Sequence, residues 1–260
     1  MKITGWCLLI IIPLVSSCLS IGANVEPKEG LVIYFSFDKI EGDEVVNEAG
    51  NGIKGKLEGK ARQVPGYKDM GIALNAEADE GAPGDDFVRV TGSPEVNVTD
   101  QITVAVWVKA TNFGDYRTVM SNTDGSGYAL SVENGVPTGW VHVNGDYLHV
   151  IGKTKLEEDT WYHLALTFDG NDGIIYLNGE EEAKGTRKGK ITASSSDFFI
   201  GAEPSGNSID HSYPAWHGIL DEFYFYDRAL SKEEINLLIK VASPVKSIDK
   251  LATCWGRIKR

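Results

Sequence analysis

Cysteine is nearly absent: 260 residues contain three. Cys7 lies within an apolar leader, and Cys18 and Cys254 are far apart in the chain, so this arithmetic yields neither a disulfide framework nor a Cys/His metal site. Basic residues are outnumbered, 25 Lys and Arg against 37 Asp and Glu, for a formal charge of −12. Without a basic stripe, such a surface repels nucleic acid and anionic membranes, so nucleic acid is excluded as a partner. Long apolar runs are missing as well. The one such stretch, residues 6–15 (WCLLIIIPLV), is too short to span a bilayer as a stable anchor. No G-x-S-x-G, H-E-x-x-H, P-loop or dinucleotide-binding glycine pattern occurs, which removes the familiar hydrolase, metalloprotease and nucleotide chemistries that those motifs carry.

The short apolar run follows Lys2 and precedes small residues, the pattern of a secretory signal over residues 1–17. Residues 15–18, Val-Ser-Ser-Cys, resemble a bacterial lipobox, in which Cys18 is lipidated and becomes the new N-terminus. Ordinary cleavage near Gly22 or Ala23 is the alternative. The expected organisation is a signal over 1–17, a linker over 18–30, one domain over 31–241 and a basic tail over 242–260. The protein is then exported, as a cell-surface lipoprotein or in secreted form, and meets a membrane only through its lipid.

What the sequence has in abundance is short strands and turns. In residues 161–168 (WYHLALTF), Tyr162, Leu164, Leu166 and Phe168 share one parity, and Trp161, His163, Ala165 and Thr167 the other. That alternation places two sets of side chains on two faces of a sheet. A Gly-rich loop over 169–173, a strand over 174–177 and the turn Asn178-Gly179 complete a hairpin. Residues 102–109 (ITVAVWVK) alternate as cleanly, and Asp124-Gly125, Asn134-Gly135 and Asn144-Gly145 separate four further strands. Residues 231–241 form the one convincing helix. Ser231 and Glu234 make a capping box, Ile235, Leu238 and Ile239 an apolar stripe, and Pro244 ends it. Ten or more closely spaced strands without a βαβ rhythm predict an all-β, antiparallel sandwich or barrel.

The order of YFSFD, ITVAVWVKA, WYHLALTFDGNDGIIYLNGEE, FFIGAEPSG and GILDEFYFYDRALSKEEI resembles the laminin-G-like and pentraxin-like jelly rolls of the concanavalin A-like lectin/glucanase superfamily. The resemblance covers residues 31–241 and implies a two-sheet antiparallel jelly-roll sandwich with one short C-terminal helix. It implies no single function, because the fold hosts binders, lectins, enzymes and spacers. The glucanases of the superfamily carry E-x-D-x-x-E on one strand. The nearest run here, Asp221-Glu222-Phe223, lacks the third carboxylate, so an enzyme is not expected.

In residues 218–226, Asp221 shares parity with Phe223 and Phe225, which would draw its carboxylate into the core, where it needs donors or a cation. The resemblance implies a structural calcium held by Asp221, by Asp38 at the end of the first strand, and by Asn47 or Asn51 with carbonyls of the following loop. Asp169, Asn171 and Asp172 do not match an EF-hand and read as a plain hairpin loop; Asp79, Glu80, Asp85 and Asp86 read as a solvated acidic loop. Arg117, Trp140, His142 and Tyr147 are the candidates for an exposed sugar-stacking platform, with Trp216 and His217 at its rim, whereas Trp107 and Trp161 are expected in the inter-sheet core. The reading is an exported, non-catalytic binding module whose partner is a glycan or surface glycoconjugate. A protein-adhesion or structural module without a sugar site, and a divergent polysaccharide-active enzyme, are the alternatives.

Overall fold

The computed structural model describes residues 26–76, 85–206 and 208–243. The signal and Cys18, the acidic residues Asp79 and Glu80, Cys254 and the basic tail beyond Ser243 lie outside the described residues. Strands run in chain order as β1 Leu31–Phe35, β2 Ile40–Glu41, β3 Glu44–Val45, β4 Gly55–Glu58, β5 Arg62–Pro65, β6 Met70–Leu74 and β7 Phe87–Val90. They continue as β8 Ile102–Ala110, β9 Tyr116–Ser121, β10 Tyr128–Glu133, β11 Val136–Val143, β12 Asp146–Ile151 and β13 Tyr162–Phe168. The last are β14 Asp172–Leu177, β15 Glu180–Thr186, β16 Phe198–Ile200, β17 Pro204–Ser205, β18 Ser208–Ile209 and β19 Gly218–Tyr226, followed by helix α1 Lys232–Ala242.

Two large antiparallel sheets form the expected sandwich. The first has the order β15-β14-β13-β8-β19-β6-β5, with β1 also paired to β19; the second has the order β12-β11-β10-β9-β16-β7-β4-β3-β2. Inward residues of both, among them Val104, Val106, Leu164, Leu166, Phe223 and Phe225 from the first and Leu130, Val132, Val141 and Val150 from the second, make one continuous buried core. Helix α1 packs Ile235 and Leu238 on the outside of the first sheet, over Ala105, Ala165, Tyr176 and Tyr224. Its N-terminus carries both reciprocal bonds of the Ser231–Glu234 capping box. The hairpins β10–β11, β11–β12 and β14–β15 turn on Asn134-Gly135, Asn144-Gly145 and Asn178-Gly179, with positive φ at both residues as a type I′ turn requires. The 169–171 loop is a plain hairpin, as expected, with Asp169 Oδ1 accepting the amides of Asn171 and Asp172.

Strand β19 organises the first sheet. One edge pairs with β8 along its length; the other is shared, with Gly218–Leu220 on β6 and Phe223–Tyr226 on β1. Between the two partners the register against β8 slips by one residue, and Glu222 takes a left-handed φ of 48°. The slip corrects the parity expected for Asp221. Leu220 and Phe223 both enter the core, while Asp221, paired opposite Trp107, emerges on the outer face. There it is covered by the turn that leads into β6: Asp221 Oδ2 accepts the Lys68 amide at 2.9 Å, and Tyr67 stacks on Trp107 at 3.5 Å between ring centroids. Trp107 and the half-buried Trp161 therefore sit in an outer aromatic layer with Tyr67, not in the inter-sheet core.

Gly66 is required by this cover. A Cβ there would lie 2.5 Å from Asp221 Oδ2 and 2.6 Å from the Gly71 amide nitrogen. Gly66→Ala is expected to destabilise the fold by about 1–3 kcal/mol, the usual cost of overpacking. A denaturant midpoint unchanged from wild type would show that the turn does not press on the carboxylate.

Candidate functional site

The outer face of the second sheet carries the candidate site. The alternation of β11 sends Val141 and Val143 inward and Trp140 and His142 outward, and that of β12 sends Leu148 and Val150 inward and Tyr147 and His149 outward. Cross-strand pairing then sets Trp140 beside His149 and His142 beside Tyr147. The indole of Trp140 is held in place: its N–H donates to Glu133 Oε1 at 2.8 Å, His149 stacks on it at 3.6 Å, and Tyr147 meets it edge-on at 5.7 Å. Trp140 is half-buried and presents a ring whose orientation is fixed before any ligand arrives.

The loop between β16 and β19 builds the opposite wall. It is laid on the sheet by Ala202 and Ala215 against Phe87 and Phe199, by the Trp216 amide donating to the Gly201 carbonyl at 2.7 Å, and by the Thr118 amide donating to the Pro214 carbonyl at 3.1 Å. Between this wall and the strands lies a cavity of about 280 Å³, lined by Trp140 and Tyr147 together with Tyr116, Thr123, Asp124, Glu203, Asp210 and Tyr213. Tyr213 is 48 % exposed at its mouth, one of two large hydrophobic residues so exposed among the described residues.

Glu203 is the unusual group. It is 7 % exposed, its Oε1 accepts the Thr123 hydroxyl, and its Oε2 is buried without a hydrogen-bond partner. Burial raises its carboxyl to about 7, with the Asp210 and Asp124 charges adding to the rise and the hydroxyls of Thr123 and Ser121 opposing it.

The four platform candidates separate. Trp140 and Tyr147 line the cavity. His142 stands beside it, 4.7 Å from the Tyr147 ring centroid, and is 8 % exposed. Arg117 does not join them. A register slip in the β9–β10 pairing places it opposite the inward-facing Val132, and its guanidinium is buried against the Asn112 carbonyl, the Asn112 side chain and the Tyr116 carbonyl. Trp216 is not at the rim either: it lies fully buried in the inter-sheet core, with His217 buried after it. His163, across from Trp107, is buried with both ring nitrogens unpartnered, and burial lowers its pKa to about 3. The missed residues, Tyr116, Thr123, Asp124, Glu203, Asp210 and Tyr213, come from a turn, a strand end and a long polar loop. That loop's length was the available signal, since long loops in compact domains commonly carry function.

The Asp38–Asp221 corner lies on the other sheet. Asp38 Oδ1 accepts the Met70 amide at 2.8 Å, so both carboxylates converge on the turn before β6. Asp221 is raised to about 8, chiefly by burial, with the Glu222 and Asp38 charges adding to the rise and the amides of Lys68 and Glu222 opposing it. A cation would relieve that repulsion, so these two residues fit the calcium that the family resemblance implies. Asn47 and Asn51 do not. The Asn47 oxygen accepts the amides of Tyr34 and Ala49, the Asn51 oxygen accepts Asn47 Nδ2 and the Ile53 amide, and both side chains donate to the Val32 carbonyl. Among the described residues no three His, Cys, Asp or Glu side chains come together closely enough to hold a metal, so an ion at this corner would draw on backbone carbonyls as well.

Because Glu203 binds its proton more tightly folded than unfolded, its contribution is fully present below its ordinary pKa of 4.5 and is lost as the pH rises through about 7. Glu203→Gln is therefore expected to gain stability on wild type by up to about 3 kcal/mol between those pH values. Chemical denaturation of both proteins at pH 4.5 and pH 8 reads the difference. An equal gap at the two pH values would mean that Glu203 titrates normally.

The Laminin_G_3 family, described as the concanavalin A-like lectin/glucanases superfamily, matches residues 82–236. No curated protein sequence matches the chain. Among solved structures, the binding domain of Paraclostridial Mosquitocidal Protein 1 is similar at a TM-score of 0.63 and 19 % identity, over 82 % of this chain and 52 % of that one. Domain 4 of AbnA, a GH43 extracellular arabinanase from Geobacillus stearothermophilus, in complex with arabinotriose, is similar at 0.62 and 20 %, over 80 % of this chain and 97 % of that one. The binding domain of Botulinum Neurotoxin DC, in complex with SialylT, is similar at 0.62 and 13 %, over 84 % and 52 %. The chain thus spans about half the length of the toxin binding domains and nearly all of the arabinanase domain. At these identities the likeness is one of fold. The family match is broader in meaning: it runs over more than half of the sequence, and the two-sheet sandwich agrees with it, so this chain belongs to the Laminin_G_3 family of the concanavalin A-like lectin/glucanases superfamily.

Proposed function

We propose that this protein is a non-catalytic binding module that takes a glycan in the cavity on the outer face of the second sheet. The observation that carries the reading is the cavity's lining: a rigid indole and three tyrosines beside carboxylates and a threonine hydroxyl. A sugar ring offers an apolar C–H face to an aromatic plane and hydroxyls to directed acceptors, and this lining supplies both. The arabinotriose and SialylT complexes of similar sandwiches support the same class of ligand. One observation favours a second reading. The raised proton affinity of Glu203 suits a general acid, and one similar domain is part of an arabinanase.

The proposal includes a structural calcium at Asp38 and Asp221, completed by carbonyl oxygens, that fixes the turn before β6 on the first sheet. Its place on the sheet opposite the cavity makes it a stabiliser, not a ligand bridge. Export with lipid attachment at Cys18 belongs to the same reading, and intact mass of the mature N-terminus decides it. Among the described residues no helix is long and apolar enough to cross a membrane.

A glycan array on the whole protein, with released reducing ends measured in parallel, tests the main reading. Binding without cleavage is expected, and Trp140→Ala should weaken it at least tenfold, about 1.4 kcal/mol. A blank array removes the glycan reading, and reducing ends that accumulate with wild type but not with Glu203→Gln establish the hydrolase reading.

Calcium is tested by melting. At saturating calcium the folded state gains about 2.7 kcal/mol at a hundredfold excess over Kd. Chelation should therefore lower the Tm by about 5–10 °C in a domain of this size. Asp221→Asn should abolish that sensitivity; wild-type melting indifferent to chelator and calcium alike would remove the ion from the account.

A further inference from the structure

Among the described residues the cavity is charged in one sign only: Glu203, Asp124 and Asp210 line it, and no Lys, Arg or His does. Glu203 Oε2 is the informative atom. The residue is more than nine-tenths buried, Oε1 is taken by the Thr123 hydroxyl, and Oε2 has no hydrogen-bond partner. A buried carboxylate oxygen left in that state is costly unless a donor or a positive charge completes it. The rest of the lining points to the same guest. Tyr116, Trp140, Tyr147 and Tyr213 are aromatic, and the face of an aromatic ring is the negative end of its quadrupole. Carboxylates and ring faces therefore favour a cation together.

A bare metal ion is not the best guest. Among the described residues no three carboxylate, His or Cys groups gather closely enough to hold one, although Asp210 and Asp124 are near enough to Glu203 to repel its charge. An alkylammonium needs no tight shell of ligands. It donates three hydrogen bonds at ordinary distance and lies against ring faces within about 6 Å.

We propose that the cavity selects a glycan bearing a positively charged amine, with the Glu203 carboxylate as its counter-charge, and discriminates against uronic and other acidic sugars. The proposal rests on the glycan-binding reading above and adds to it the charge of the ligand. The acidic balance of the whole chain, −12, acts in the same direction by repelling anionic glycans before contact. Without a cation beside it, burial keeps Glu203 protonated up to about pH 7; the ammonium takes the place of that proton.

The test is an array in which each neutral oligosaccharide is printed beside its 6-amino-6-deoxy form and its uronate, read at pH 7.5 with the whole protein. Amino forms should bind at least tenfold more tightly than their neutral parents, and uronates more weakly than either. Glu203→Gln should bring the amino-to-neutral ratio close to one. Asp124→Asn, an exposed position on the cavity's edge, should lower the ratio in part and serves if the buried variant does not fold. Neutral and amino forms bound equally, or uronates bound best, would overturn the charge selection and leave the glycan reading standing. Three blank sets would overturn both.

Discussion

The backbone step at Asp221–Glu222 is the constraint from which the first sheet takes its form. At this point β19 changes its partner from β6 to β1, and the two strands abut along one edge. A regular strand through the junction would keep Leu220 and Tyr224 on one face and Asp221 and Phe223 on the other. The left-handed residue Glu222 breaks that rule, placing Leu220 and Phe223 in the core and sending both carboxylates outward. Left-handed φ in a non-glycine residue costs on the order of 1–2 kcal/mol, so it persists only where the surroundings over-determine it. They do so here through a dense set of donors. Asp221 takes the amides of Lys68 and Glu222, and Glu222 takes the hydroxyls of Tyr34 and Tyr224 and the ammonium of Lys68. The turn before β6 is thus held by the residues that it covers.

The two sheets divide the labour. The outer face of the first is closed, by α1 over Tyr176 and Tyr224 and by Tyr67 over Trp107, and offers little for a ligand. The outer face of the second is left open where the loop after β16 stands away from β11 and β12. Its aromatic groups are braced from within the sheet, Trp140 by Glu133 and His149, so little side-chain freedom remains to be lost on binding. The continuous core between the sheets supplies the rigidity that lets the loop present its groups at fixed positions.

Much of this was legible in the sequence because alternation and turn chemistry are local. Residues 162–168 and 102–110 are strands as their parity predicts, the three Asn-Gly pairs turn their hairpins, and Ser231 caps α1. Strands β4, β5 and β15 were not legible. Their sequences, GKLE, RQVP and EEEAKGT, are polar and lack a clean alternation, and what makes them strands is pairing with neighbouring strands. The site was half legible for a related reason. Trp140 and Tyr147 follow from unbroken alternation in β11 and β12. Arg117 and Asp221 were assigned to the wrong faces because each lies beside a one-residue slip in pairing, and a slip of one residue reverses every face beyond it. Nothing local marks such a slip: Glu222 is not a glycine, and Val119 is an ordinary strand residue.

The carboxylate that defines the cavity had to come from a loop. On β9 to β12 the outward positions near the cavity are filled by groups already committed, Glu133 to the indole and Ser121 to Thr123. A strand carboxylate among them would stand upright in solvent at the sheet's fixed period, without the burial that raises Glu203 to about 7. Glu203 instead follows Gly201, whose φ of 93° lets the chain leave β16 at an angle a side-chain-bearing residue resists, and where an added Cβ would clash with Leu74 Cδ1. The backbone then lies against the sheet at Ala202, and the next side chain is driven under Thr123. A half-satisfied buried carboxyl destabilises the fold wherever it stands. Placing it on a loop anchored by Phe87, Phe199 and Ala215 confines that cost to a segment that lines the cavity, and leaves the strands that carry the aromatic platform free of it.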